Sequence, residues 1–142
     1  MGMMVDTNVF VHFERSGKVI DLSPWSDLEG VYVSVVTVSE LLVGVHRANT
    51  ENRKQQRSLI IESVIAEFDV LDFTLDCARL HAEIYAELAK SGRMIGAHDL
   101  IIAATARLHG FSILTDNVAE FSRVPGLRVI PFVPPPAGTS TP

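Results

Sequence analysis

Apolar positions in this chain fall into short runs and helical stripes, and the two kinds alternate. Met3-Met4-Val5 is a brief apolar run that suits a buried strand. Asp6-Thr7-Asn8 then supplies helix-capping side chains, and Val9-Phe10-Val11 opens a short helix. Val31 to Val36 is a β-branched run, predicted as a second strand. Thr37-Val38-Ser39-Glu40 reads as a Thr-x-x-Glu capping box opening a helix through about Ala48, with Glu40 in its first turn. Thr50 caps a longer helix, charged early, with Ile61, Val64, Ile65 and Phe68 as its apolar stripe. Val70-Leu71 is a weak strand. A helix from about Leu75 buries Leu80, Ile84 and Leu88 at spacing four and stops at Gly92. Ala97 to His109 is a helix that is nearly all apolar after Asp99, with Gly110 as its stop. Phe111–Thr115 and Leu127–Ile130 complete the set of strands.

Short buried strands alternating with helices predict an α/β fold, a three-layer sandwich with a short central parallel sheet flanked by helices. Ligands of such sheets bind outside the carboxyl ends of the strands. The length of 142 residues suits one domain. Residues 1–132 are read as that domain, and the stretch at 133–142, ending in PPPAGTSTP, as a Pro-rich tail. No apolar stretch approaches membrane-spanning length and no signal peptide is legible, so a cytoplasmic, membrane-free protein is expected. The single cysteine, Cys77, excludes an internal disulfide and a thiolate metal cluster.

Four acids occupy matching places on this map. Asp6 follows the first strand, Glu40 opens the helix after the second, Asp99 opens the apolar helix, and Asp116 follows the Phe111–Thr115 strand. Singly, each has an ordinary reading as a helix cap or as a complement to a helix dipole. Together they converge on one rim of a parallel sheet, where like charges repel by about 1 kcal/mol or more per close pair. A divalent cation relieves that cost. Hard oxygen ligands without cysteine or a histidine pair select Mg2+ (or Mn2+) over zinc. Such a site lowers the pKa of water and stabilises charge on a scissile phosphate, with no Ser or Cys nucleophile. The formal charge of −5 argues against a nonspecific nucleic-acid coat, but the four site acids account for most of that excess.

The basic residues divide two ways. Arg47, Arg53, Lys54 and Arg57 either grip phosphates or form a solvated helix face. Arg93 is a phosphate candidate by position. His98, beside Asp99, either touches substrate or caps a helix start.

Four segments carry a family resemblance: Val5-Asp6-Thr7-Asn8, Ser39-Glu40-Leu41, Gly96 to Ala104 around Asp99, and Leu114-Thr115-Asp116-Asn117 with Glu120-Phe121. Their order and spacing resemble PIN-domain proteins, and within them the toxins of VapBC toxin–antitoxin pairs. The resemblance implies an Mg/Mn-dependent endoribonuclease, usually a homodimer, with a small antitoxin protein as partner and RNA as substrate. It makes Asp6, Glu40 and Asp99 metal-binding acids. Asp116 is the fourth, with Asn117 in support and Glu120 as its substitute. Thr7 and Thr115 match pocket hydroxyls, with Asn8 beside them. Two alternatives share the fold: a catalytically inactive PIN-like binding module, and a non-toxin PIN nuclease of RNA processing. A receiver domain needs paired acids after the first strand, but Thr7 follows Asp6. A haloacid-dehalogenase-like phosphatase needs an Asp where Asn8 stands.

Overall fold

The computed structural model describes residues 2–26 and 30–134. Residues 135–142 of the expected tail lie outside them. Five strands, β1 (Met3–Val5), β2 (Val31–Ser34), β3 (Asp69–Leu71), β4 (Ser112–Thr115) and β5 (Val129–Pro131), form one sheet in the order β3-β2-β1-β4-β5. Every neighbouring pair is parallel. The helices are α1 (Thr7–Ser16), α2 (Val35–His46), α3 (Glu51–Glu67), α4 (Leu75–Ser91), α5 (Ala97–His109) and α6 (Val118–Phe121).

Strand alternation divides the apolar residues between two cores. Met3 and Val5 of β1 share one core with Phe10 of α1, Val45 of α2, and Ile61 and Val64 of α3. Met4 joins the other core with Ile84 and Leu88 of α4 and Leu100 and Ile102 of α5. Helices therefore cover both faces, and the expected three-layer α/β sandwich is the one observed. β1 lies centrally, and its register sets Val5 against Leu114 of β4, so the two chain ends of these strands leave the sheet together.

Several boundaries differ from the sequence expectation. Val35 and Val36 are helical, not strand. Ser34 ends β2 and caps α2, its Oγ accepting from the Val36 N–H at 3.0 Å. The expected capping box at Thr37–Glu40 therefore does not form. Thr37 lies inside the first turn and is fully buried, and Glu40 sits in the second turn. A good N-cap has overridden the β propensity of two valines. On α3, capped by Thr50 as expected, Ile61 and Val64 are buried but Ile65 is exposed. On α4, Leu80 is only partly buried. Phe111 precedes β4 and stacks on Tyr32, with ring centroids 4.2 Å apart. β5 is shifted to Val129–Pro131. The single-turn α6 is too short for periodicity to reveal. No helix among the described residues is long and apolar enough to cross a membrane.

Candidate active site

The site is assembled where β1, β2 and β4 end. Asp6 leaves β1 as the N-cap of α1 and is buried. Its Oδ1 accepts the Thr7 N–H at 2.8 Å, and its Oδ2 accepts the Thr115 hydroxyl at 2.8 Å. Thr115 ends the adjacent β4, and its Oγ1 in turn accepts the Asn117 N–H at 2.9 Å. One bond to each carboxylate oxygen fixes the plane of Asp6 and leaves lone pairs on both.

Glu40 reaches the same rim from α2. Its Oε1 lies 2.8 Å from the Thr7 hydroxyl, and its Oε2 lies 3.6 Å from Nδ1 of His98. Asp99 stands in the first turn of α5. That helix has no side-chain cap of its own, because its N-cap is Gly96. A Cβ on Gly96 would come within 3.3 Å of Asp99 Oδ2, so the position is crowded by the acid itself. Glu120 supplies the cap from α6: its Oε1 accepts the Gly96 N–H at 2.8 Å, and its Oε2 accepts from the Asn117 amide. Asp116 is exposed at the tip of the same loop, where its Oδ1 accepts from Asn8 Nδ2 at 3.2 Å.

The acids perturb one another. Burial pushes the Asp6 carboxyl up to about 6. Its bonds from Thr115 and Thr7 oppose that shift, and Glu40 and Asp116 add to it. Burial also pushes Asp99 up to about 7, helped by the charges of Asp6, Glu120 and Glu40 and by a hydrogen bond shared with Glu120. Glu120 moves the other way, held down chiefly by the Asn117 amide and the Gly96 N–H. The ion pairs found among the described residues are Arg57–Glu14 and His98–Glu40, and neither neutralises Asp6, Asp99 or Asp116.

Asp6 and Asp99 hold protons more tightly folded than unfolded, so their contribution is greatest below about pH 4 and is lost as pH rises through about 6 and 7. Asp6 alone accounts for about 2–3 kcal/mol, and the half-exposed Asp99 for less because water screens it. Denaturant titrations in chelator should show stability falling across that window in the wild type, with a flatter profile in Asp6→Asn. An unchanged profile in the variant refutes the assignment.

The structure brings together Asp6, Thr7, Asn8, Glu40, His98, Asp99, Thr115, Asp116, Asn117 and Glu120. The basic candidates are more scattered. Arg57 is tied down, with Nη1 donating to the Gly44 carbonyl at 2.7 Å and Nε 3.4 Å from Glu14 Oε1. It clips α3 to α1 and α2. It also lines, with Thr7, Glu40, Leu41 and Gly44, a cavity of about 210 Å³ beside the acids. Arg47, Arg53 and Arg93 are exposed. Thr37, the partner of Thr7, belongs to the site although the sequence predicts only a helix cap there; its signal is a second hydroxyl three residues before Glu40.

Comparison with known proteins agrees with this geometry. Residues 3–127 match the PIN domain family. Ribonuclease VapC1 of Rickettsia felis is 41% identical over 130 residues, covering 92% of this chain and 96% of the relative. A tRNA(fMet)-specific endonuclease VapC of Shigella flexneri is 34% identical, covering 88% and 93%. Among solved structures, VapBC-5 of Mycobacterium tuberculosis superposes with a TM-score of 0.76 at 31% identity, covering 92% and 98%. VapBC2 from Rickettsia felis, bound to a DNA fragment from their promoter, gives 0.82 at 25% identity, covering 94% and 100%. A match over most of the chain, with the acids of the motif gathered on one rim, places this protein in the PIN-domain family, among relatives named VapC.

Proposed function

We propose that this chain is a metal-dependent endoribonuclease and the toxin of a type II toxin–antitoxin pair. The observation that carries the reading is the meeting of Asp6, Glu40, Asp99, Asp116 and Glu120 on one rim with no arginine or lysine paired to Asp6, Asp99 or Asp116 among the described residues. The residues fit Mg2+ or Mn2+ by donor chemistry: they are hard oxygens, and two of them are carboxyls that burial makes costly to ionise alone. As the side chains stand, no three acidic or imidazole groups among the described residues enclose one ion-sized point. Magnesium tolerates that, since it keeps several waters and takes one or two carboxylates plus phosphate oxygens.

Asp6, oriented by Thr7 and Thr115, and Asp99, set by the start of α5, would hold the ion. Glu40 would act directly or through water. Asp116 is the preferred fourth acid, because both oxygens of Glu120 are already engaged, Oε1 by the Gly96 N–H at the start of α5 and Oε2 by the Asn117 amide. The bound ion supplies positive charge at the scissile phosphate and acidifies water there. Arg47, Arg53 and Arg93 are free to meet phosphates along the strand, and His98 stands at the mouth. Capture by a small antitoxin chain is proposed from the VapBC relatives, and homodimerisation from the family resemblance.

The test is purified protein with labelled RNA, an initiator tRNA included, in magnesium, manganese or chelator. Cleavage confined to the metal lanes supports the reading. In parallel, co-expression with the neighbouring reading frame should yield a complex whose nuclease activity is suppressed. An active protein that forms no such complex is a nuclease outside a toxin–antitoxin pair.

A further inference from the structure

We infer that Thr37 is a positioning residue that sets the Glu40 carboxylate through the hydroxyl of Thr7. This rests on the nuclease reading for its catalytic consequence, and on geometry alone for the hydroxyl chain. Thr37 is fully buried inside α2, facing the start of α1. Its Oγ1 lies 3.0 Å from Thr7 Oγ1, which lies 2.8 Å from Glu40 Oε1. The Thr7 hydroxyl carries one proton, and an ionised Glu40 can only accept. Thr7 therefore donates to Glu40, and Thr37 must supply the proton for the 3.0 Å contact. A threonine inside a helix usually bonds back to a carbonyl four residues earlier, as Thr105 does to Ile101 at 2.8 Å. Among the described residues, Thr37 forms no such back-bond and points its hydroxyl at Thr7.

The direction of the chain has a consequence. With Thr37 donating, the Thr7 hydroxyl has one rotamer in which both contacts are made, and Glu40 Oε1 is held on the Thr7 hydroxyl. Without that donor, Thr7 can turn its proton elsewhere. Glu40 is a partly exposed side chain on the second turn of α2, and its other contact is the exposed His98 at 3.6 Å. It would then sample several rotamers. Burial explains why a hydroxyl rather than water does this work: Thr37 is fully closed to solvent, and a polar group there must be satisfied by protein.

Thr37→Val keeps the shape and deletes the donor; Thr37→Ser keeps the donor. The first should lower RNA cleavage and Mn2+ affinity by roughly 10–100-fold, the scale of losses when groups behind metal ligands are removed. The second should retain most of both. In a Thr7→Val background, Thr37→Val should cost nothing further, because Thr37 acts only through Thr7. Equal losses in the Ser variant, or a Thr37→Val loss that persists without the Thr7 hydroxyl, overturn the proposal in favour of a packing role. NMR of the metal-free protein separates this from the nuclease reading. The shift separation between the two Glu40 γ-methylene protons should be wide in the wild type and should narrow in Thr37→Val. If the separation is the same in both, the hydroxyl chain is wrong. If they behave as expected in a protein that cuts no RNA, the chain stands and the function falls.

Discussion

Asp6→Asn should lower RNA cleavage by roughly 10³-fold or more while leaving the fold intact. The cleavage loss corresponds to about 4 kcal/mol, within what a metal-held phosphate contributes to a transition state. Asn is isosteric with Asp, so the local bonds survive. Its Oδ1 still accepts the Thr7 N–H, and its amide donates to Thr115 if that hydroxyl turns. What disappears is the negative charge at the centre of the rim, where Asp6 faces Glu40 and Asp116. Asp99→Asn should behave alike at the other side of the site. Circular dichroism and calorimetric titration with manganese should show folded variants with weakened ion binding. If Asp6→Asn cuts RNA at the wild-type rate, the acids serve some purpose other than catalysis. If both variants unfold, Asp6 and Asp99 are structural caps.

Chelation should abolish cleavage, and the products made with magnesium or manganese should carry 5′-phosphate and 3′-hydroxyl ends. The reason lies in which groups the rim contains. A ribonuclease that uses the substrate's own 2′-hydroxyl needs a paired acid and base, most often two histidines. Here the imidazole at the acid cluster is His98, more than half exposed and 3.6 Å from Glu40, and no second histidine stands with it in the contacts of the described residues. Carboxylates arranged around a cation serve attack by water instead. End-group analysis decides between the two. Cyclic-phosphate products, or full activity in chelator, would show that these acids do not hold a catalytic ion.

The order of strands and helices was legible in the sequence because apolar runs and capping residues mark it. Val5-Asp6 and Thr115-Asp116 announce strand ends, and Gly92 and Gly110 announce helix ends with positive φ of 68° and 71°. Boundaries failed where two local preferences competed. Val35 and Val36 prefer strands, yet Ser34 caps the helix that contains them. The four acids were legible for a similar reason: in a parallel sheet, strand ends and the following helix starts share one rim.

What each acid does was not legible, because it depends on contacts between segments far apart in sequence. The sequence ranks Asp116 ahead of Glu120 only by resemblance and cannot show what either touches. Packing of α6 against the start of α5 makes Glu120 the cap of Gly96 and leaves Asp116 exposed beside Asn8. Arg57 reads as one cation in a basic cluster, and only the approach of α3 to α1 and α2 ties it to Glu14 and the Gly44 carbonyl. Thr37 reads as a helix cap until α1 is packed against α2 and its hydroxyl meets Thr7. Sequence alone determined the layers, the rim and the acids on it, since periodicity and capping are local. Only the tertiary structure decided which hydroxyls and amides orient those acids, since hydrogen bonds of about 3 Å between distant segments are set by how whole helices pack.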